Sequence, residues 1–329
     1  MAEITAGIVG YGNLGGGVEK ILEHHDDIEL LGIFTRRPVE SLSVSSEDIK
    51  VLNVDEAENY QQEIDVMFLC GGSARDLPRQ GPEFARMFNT VDSYDNHDKI
   101  PEYFARMDGI ARENDNTCAV GIGWDPGLFS LNRMLMQAIL PQGQGYTFWG
   151  EGVSQGHSDA IRELEGVFDA VQYTIPRQQY IEDVRGGETP PQAAEKRHLR
   201  RCFVVLEEGA DEEEIARSIR EMPNYFAGYE TEINFVSRRE LKQDHAGMPH
   251  GGFVMRNART GSGNENSQIM EFSLDLDSNP EFTASVMAVY GRAAVRLNEE
   301  GRTGARTVYD IAPSYLSSLS PSELRENML

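Results

Sequence analysis

An apolar run containing β-branched residues, 4–9, gives way to the glycine-rich GYGNLGGG. Beyond it Val18, Ile21 and Leu22 recur at helical spacing. A second apolar run occupies 29–34. This pattern predicts strand, tight turn, helix and strand, a βαβ unit, and therefore a parallel sheet. Buried-type strands recur at 65–70, 89–92 and 118–121, with helices predicted at 81–88 and 101–114. The alternation predicts an α/β, Rossmann-type, doubly wound dinucleotide-binding domain over 1–122.

The pattern changes after Gly127. Residues 128–140 read as a helix, and 146–149, 201–206, 230–236, 252–256 and 268–276 read as strands with long connections. An α+β second domain over 123–279, with a mainly antiparallel sheet, is expected. The acidic run 207–214 reads as a turn and a helix N-terminus, where the macrodipole favours carboxylates. Met222-Pro223-Asn224 ends that helix. The helical stretch 284–298 is expected to bring 280–329 back to the first domain.

A length of 329 residues agrees with two domains. The formal net charge of -24 disfavours nucleic acid and anionic membranes as partners. No apolar run is long enough to span a bilayer, and the N-terminus reads as a strand, so a cytoplasmic location is expected. Only Lys20, Lys50, Lys99, Lys196 and Lys242 are lysines among 30 cationic residues. So acidic a chain with so little lysine suggests adaptation to high salt, which screens self-repulsion. Cys70, Cys118 and Cys202 are far apart and show no C-x-x-C spacing, which argues against disulfides and zinc.

Gly10, Gly12 and Gly15 form G-x-G-x-x-G between the first strand and its helix. In that place the glycines permit the tight turn, the approach of a pyrophosphate and close helix packing. Backbone N–H groups of the intervening Tyr11, Asn13 and Leu14 complete the turn. A dinucleotide site for NAD carries an acidic residue at the end of the second strand. Here Thr35, Arg36 and Arg37 stand there instead, a set suited to a 2′-phosphate and hence to NADP. Cys70, Gly71, Gly72 and Ser73, at the end of the next long strand, are expected to floor the same site.

With these motifs stand several unusual strings: VDSYDNH at 91–97, GWDPGLFS at 123–130, TFWGEGVSQGHSDA at 147–160, MPNYFAGYE at 222–230, GMPHGG at 247–252 and LDSNPEFTAS at 276–285. On them the chain resembles the meso-diaminopimelate dehydrogenase family nearly end to end; 175–197 is the least similar part. The resemblance implies NADP-dependent, reversible oxidative deamination of meso-2,6-diaminopimelate at its D-centre. The products are L-2-amino-6-oxopimelate and ammonia, and the reverse direction feeds lysine and peptidoglycan precursors. It implies no metal, because the cofactor carries the difficult chemistry. A homodimer held through the strand-rich domain is implied too.

By the same resemblance Asp92 and Asp125 match acidic residues near the reacting amine, and either can serve as base. Trp124 and Trp149, the two tryptophans of the chain, would shape the pocket and exclude water. Thr174, Arg200 and His250 would clamp the distal carboxylate, with Arg200 ranked above its neighbours Arg197, His198 and Arg201. Asn279 would close the site, and Gln155, Gly156 and Asp159 would line it. His157 reads equally as a pocket residue or a structural histidine. Further cofactor contacts fall at Ser93 and Tyr94 beside Asp92, and at Gly123, Pro126 and Gly127 around Trp124 and Asp125. The D-x-x-D-x-H of Asp92, Asp95 and His97 lacks a matching cluster elsewhere and is not read as a metal site. Closure between the domains is expected to complete the site. Alternatives are another Rossmann oxidoreductase of dihydrodipicolinate-reductase type, a broader D-amino acid dehydrogenase, or a non-catalytic NADP-binding sensor.

Overall fold

The computed structural model describes residues 4–329. It is an α/β structure in two units: one runs to Leu131 and resumes over Pro280–Leu329, and the other is Asn132–Asn279. The first unit contains strands β1 (Ile4–Val9), β2 (Ile28–Thr35), β3 (Lys50–Asn53), β4 (Val66–Leu69), β5 (Asn89–Asp92) and β6 (Thr117–Ala119), and the last strand of the chain, β14 (Gly304–Arg306). They form one sheet in the order β14-β6-β5-β4-β1-β2-β3, and every pairing is parallel. The chain leaves β1 toward β2 on one side and returns to β4 on the other. The carboxyl ends of β1 and β4 therefore flank a topological switch point, where such sheets bind ligands.

Both faces of this sheet are covered, which is why its strands read as nearly continuous apolar runs. Helix α1 (Asn13–Leu22) and the long α10 (Asn279–Glu299) cover one face, with Val18, Ala284, Met287 and Tyr290 packed on Ile8, Ile33 and Phe68. Helices α2 (Leu77–Phe84) and α3 (Ile100–Glu113) cover the other, packing Phe84, Tyr103 and Met107 on Phe34, Met67 and Leu69. Each large side chain so buried contributes about 1.5–3 kcal/mol. Gly291 lets α10 approach the sheet: a Cβ there would lie 2.7 Å from the Phe68 ring. The buried Arg292 binds Asp27 through Nε at 2.5 Å and donates to the Leu316 carbonyl at 2.6 Å, fastening the C-terminal segment to this unit.

In the second unit β7 (Gln144–Trp149), β12 (His250–Thr260) and β13 (Asn266–Leu276) form an antiparallel sheet ordered β13-β12-β7. A separate sheet is ordered β11-β10-β9-β8, from β8 (Gly152–Val153), β9 (Val167–Pro176), β10 (His198–Leu206) and β11 (Glu230–Phe235). Its β10–β11 pairing is parallel and the others antiparallel. The remaining helices are α4 (Leu128–Ile139), α5 (Gln155–Arg162), α6 (Gln178–Arg185), α7 (Ala194–Arg197), α8 (Glu212–Glu221), α9 (Arg238–Asp244) and α11 (Pro321–Met328). The acidic run 207–214 behaves as its charge predicts. Asp211 caps α8 by accepting from Glu213 N at 2.9 Å, and three glutamates fill the first turn.

Two differences from the sequence pattern have physical causes. The helix expected at 81–88 begins at Leu77, because Pro78 suits the first turn, and it ends at Phe84. β9 was hidden because both of its faces are covered and polar Gln172 and Thr174 are buried in it. Among the described residues no helix is long and apolar enough to cross a membrane.

Candidate functional site

The glycine turn sits at the switch point of the first sheet. Gly10, at φ 89, takes a backbone shape that L side chains avoid, and a Cβ on Gly15 would lie 2.2 Å from the Gly10 carbonyl oxygen. A Cβ on Gly12 or Gly16 would meet nothing within 4 Å, so open space lies above the turn. Gly12 is the N-cap of α1 and supplies no side-chain cap, which leaves the first amides of the helix for an anion. This cradle fits a dinucleotide pyrophosphate.

At the end of β2, Thr35 Oγ1 accepts from Arg37 N at 3.0 Å, and the Arg37 guanidinium donates to the Tyr11 carbonyl. Arg36 is ion-paired with Asp76 at 2.8 Å, and Asp76 also accepts from Gly72 N at 3.0 Å. The two guanidiniums therefore flank the glycine turn and the Cys70–Ser73 loop. β2 ends in Thr35-Arg36-Arg37 and not in the acidic residue that would bind a ribose 2′-hydroxyl, so the set fits NADP. Burial pushes the Cys70 thiol far up, so it stays a neutral wall. Ser73 Oγ accepts from Asp95 N at 2.8 Å and ties this loop to the segment after β5.

Asp92 ends β5 and is fully buried. Its Oδ1 accepts from Tyr94 N at 3.0 Å and Gly121 N at 3.1 Å, and its Oδ2 accepts from Tyr103 Oη at 2.9 Å. Burial nevertheless pushes its carboxyl up to about 6, against the lowering effect of those three donors. Tyr94 stacks on Tyr103 with ring centres 4.2 Å apart, which fixes the phenol that faces Asp92. Asp95 and His97 are exposed on the following segment, whereas Asp92 is buried. Sequence reasoning missed Tyr103, which reads only as an apolar position of α3.

Ile122 N donates to the Asp92 carbonyl at 2.8 Å, and the chain then enters the Trp124-Asp125-Pro126-Gly127 turn. Gly127, at φ 130, closes this turn: a Cβ there would fall 1.7 Å from the Gly123 carbonyl oxygen. Trp124 packs edge-on against Phe129 with ring centres 5.1 Å apart, and Asp125 is half-buried. The structure thus brings Asp92, Ser93, Tyr94 and 121–127 together in the first unit.

The second unit holds the other predicted residues. Arg200 on β10 stands opposite Thr174 on β9 in the sheet register, and both are buried. Arg200 donates to Thr174 Oγ1, and its guanidinium lies 4.2 Å from the centre of the Tyr229 ring. Its Nε has no hydrogen-bond partner among the described residues. Gln172, wholly buried on the same strand, donates to Thr174 Oγ1 at 3.5 Å. Tyr229 and Gln172 went unnoticed in the sequence. The MPNYFAGYE string is the signal that holds the first; nothing marks the second.

Trp149 N donates to His198 Nε2 at 3.0 Å, and His198 Nδ1 stands 2.9 Å from the Ala194 carbonyl. Burial lowers the His198 pKa to about 4, so the ring is neutral, with its proton on Nδ1. His250 Nδ1 and Asn279 N both lie at hydrogen-bond distance from the Met248 carbonyl, at 3.0 Å and 3.3 Å, which brings these two residues together. Gln155 and Gly156 are exposed in the first turn of α5, and Asp159 is ion-paired with Arg162 at 2.7 Å. His157 bonds Ser154 Oγ at 2.7 Å and packs edge-on against Tyr225 and Phe226; these contacts make it a latch for the start of α5.

Comparison with known proteins decides the family. Residues 123–278 match the diaminopimelic acid dehydrogenase C-terminal domain. The meso-diaminopimelate D-dehydrogenase of Acetivibrio thermocellus is 55% identical over 329 residues, covering 100% of this chain and 98% of the relative. This chain belongs to the meso-diaminopimelate D-dehydrogenase family. A six-site mutant of the Clostridium tetani enzyme, solved with DAP, superposes with TM-score 0.93 at 50% identity and covers 99% and 100% of the two chains. Five of its substituted positions (glutamine, threonine, arginine, proline, histidine) have the spacing of Gln155, Thr174, Arg200, Pro249 and His250. An engineered D-amino acid dehydrogenase bound to NADP+ matches with TM-score 0.86 at 42% identity, covering 100% of both chains.

Proposed function

We propose that the protein is an NADP-dependent meso-diaminopimelate D-dehydrogenase, and that Arg200 is its distal anchor. The protein oxidatively deaminates the D-centre to L-2-amino-6-oxopimelate and ammonia, reversibly. One observation carries the reading beyond family membership. Arg200 is a buried, permanently charged group with no carboxylate partner among the described residues, so it calls for an anionic ligand. Thr174 and His250 join it at the substrate's far carboxylate, with Asn279, Gln155, Gly156 and Asp159 around that end. D-Amino acids without a second carboxylate leave this cation unmatched.

The glycine turn with Tyr11, Asn13 and Leu14, the Thr35-Arg36-Arg37 set, the Cys70–Ser73 loop, and Asp92–Tyr94 with Gly123–Gly127 would hold the cofactor. When bound, NADP serves as the two-electron acceptor for the α-carbon. Asp92 and Asp125 orient the reacting ammonium, and one of them takes its proton. Asp92 is the better candidate for holding a proton near neutrality, since its carboxyl sits at about 6. Asp125 is the more accessible of the two. Trp124 and Trp149 restrict water and shape the channel around the methylene linker. A homodimer held through the second unit, a cytoplasmic location and a place in lysine and peptidoglycan supply complete the proposal.

The test mixes purified protein with NADP and meso-diaminopimelate at alkaline pH and follows reduced-nicotinamide absorbance. Parallel runs use the LL isomer, D-alanine and NAD, each at low and high salt. Reduction with NADP and the meso isomer alone is expected. Comparable rates on D-alanine would remove the role given to Arg200.

A further inference from the structure

The second unit contains a cavity of about 390 Å³ that is separate from the Arg200–Thr174 pair. Three guanidiniums line it: Arg133 from α4, Arg197 from α7 and Arg256 from β12. None of its lining residues is acidic, in a chain with 54 acidic and 30 basic side chains. Arg185–Glu271, Arg201–Glu232 and Arg292–Asp27 match arginine with carboxylate, and Arg197 and Arg256 differ from them.

Arg197 and Arg256 are buried, at 5% and 8% exposure, and among the described residues their hydrogen bonds go to carbonyl oxygens. Arg197 donates to Thr147 O and Gln192 O, and Arg256 to Leu140 O and Pro141 O. The Arg197 guanidinium also lies 5.0 Å from the centre of the Phe148 ring, yet its Nε has no partner among the described residues. Neutral oxygens position these charges but do not cancel them, and a buried charge without a counter-ion is costly. Arg200, which we assign to a carboxylate, shows the same combination of burial, missing acid and orphaned Nε.

We propose that this cavity is a second ligand site, which takes a multivalent oxyanion carried on a short carbon skeleton. Arg197 and Arg256 supply charge and forked donors for carboxylate or phosphate oxygens, and Arg133 lines the same cavity. Tyr146, Val254 and Met255 offer an apolar wall for the skeleton. The volume exceeds what a bare oxyanion fills, which favours a tricarboxylate or a phosphate monoester over inorganic phosphate.

Calorimetry on the full-length protein tests this with citrate, glycerol 3-phosphate and inorganic phosphate, at ionic strength fixed with chloride. One citrate or one glycerol 3-phosphate per chain is expected, and which of the two binds tighter identifies the headgroup. Arg197→Gln or Arg133→Gln should weaken that binding at least tenfold, while Arg200→Met leaves it in place. No binding, equal affinity in both cavity variants, or loss on Arg200→Met would overturn the proposal. Should both cavity variants fail to fold, crystals of the unaltered protein soaked in selenate decide. An anomalous peak among Arg133, Arg197 and Arg256 supports the site, and peaks only elsewhere refute it.

Discussion

Asp92 at the end of β5 and Arg200 within β10 are both buried charges, one in each unit, and they are treated in opposite ways. Asp92 is surrounded by three neutral donors and has a carboxyl raised to about 6, so its charge is adjustable near neutral pH. Arg200 bonds the Thr174 and Tyr229 hydroxyls and lies over the Tyr229 ring, and a guanidinium does not give up its proton. An adjustable charge suits a centre that must take and return a proton. A permanent charge suits an anchor. On the proposed reading, Asp92 is assigned to the reacting amine and Arg200 to the far carboxylate.

The largest effect should come from the two acids. Asp92→Asn and Asp125→Asn separate base from orienting group. The base variant should lose about 10²–10⁴ in kcat, whereas the other should chiefly raise KM. If Asp92→Asn leaves both constants unchanged, its buried carboxylate only braces the 121–127 segment, and the comparison with Arg200 fails. Next comes Arg200→Met. Removing one charge-assisted contact of about 3 kcal/mol should lower kcat/KM for meso-diaminopimelate about 10²-fold. Turnover of D-alanine, measured on the same variant, should not fall. A parallel loss on D-alanine would mean that Arg200 supports the fold and not the distal carboxylate.

Stability against pH sharpens the same contrast, with a smaller expected effect. His198 and half-buried His157 have pKa values lowered by burial from 6.5 to about 4. The unfolded chain binds more protons between those values, so their contribution is complete above pH 6.5 and is lost as pH falls toward 4. Asp92 acts oppositely, since its carboxyl is raised from 3.8 to about 6 and protonation over that window favours the folded form. Two histidines against one acid should leave a net loss of about 3 kcal/mol on acidification from pH 7 to 4.5. Urea midpoints at the two pH values measure it, and a rise in stability on acidification would contradict the neutral, Nδ1-protonated His198.

The fold of the first unit was legible because its strands are buried on both faces and its turn needs glycine at 10 and 15. The second unit was less legible where it holds polar groups inside. Burying Gln172 and Thr174 in β9 removes the apolar periodicity by which a strand is recognised, so the strand was hidden by the polar residues that it buries. Asp92 and Asp125 came forward through family strings, and Arg200 through the resemblance and its spacing to Cys202; none came through periodicity. Tyr103 had no such signal, and Tyr229 lay unread inside the 222–230 string: each matters through the charge it faces, and that pairing exists only once the chain is folded.

Tyr103 offers the finest test of the Asp92 half of the comparison. Its hydroxyl donates to Oδ2 at 2.9 Å and so favours the ionised carboxylate. Tyr103→Phe removes that donor while keeping a ring to stack on Tyr94. The carboxyl should then move further above its present value of about 6, by about one unit for a hydrogen bond to a charged group. Activity that requires ionised Asp92 rises with pH through that value, so the acidic limb of the kcat/KM profile should shift to higher pH with its plateau intact. A lowered plateau without a shift would assign Tyr103 to packing. An unmoved limb at full activity would show that the group titrating there is not Asp92, and would leave proton transfer to the more accessible Asp125.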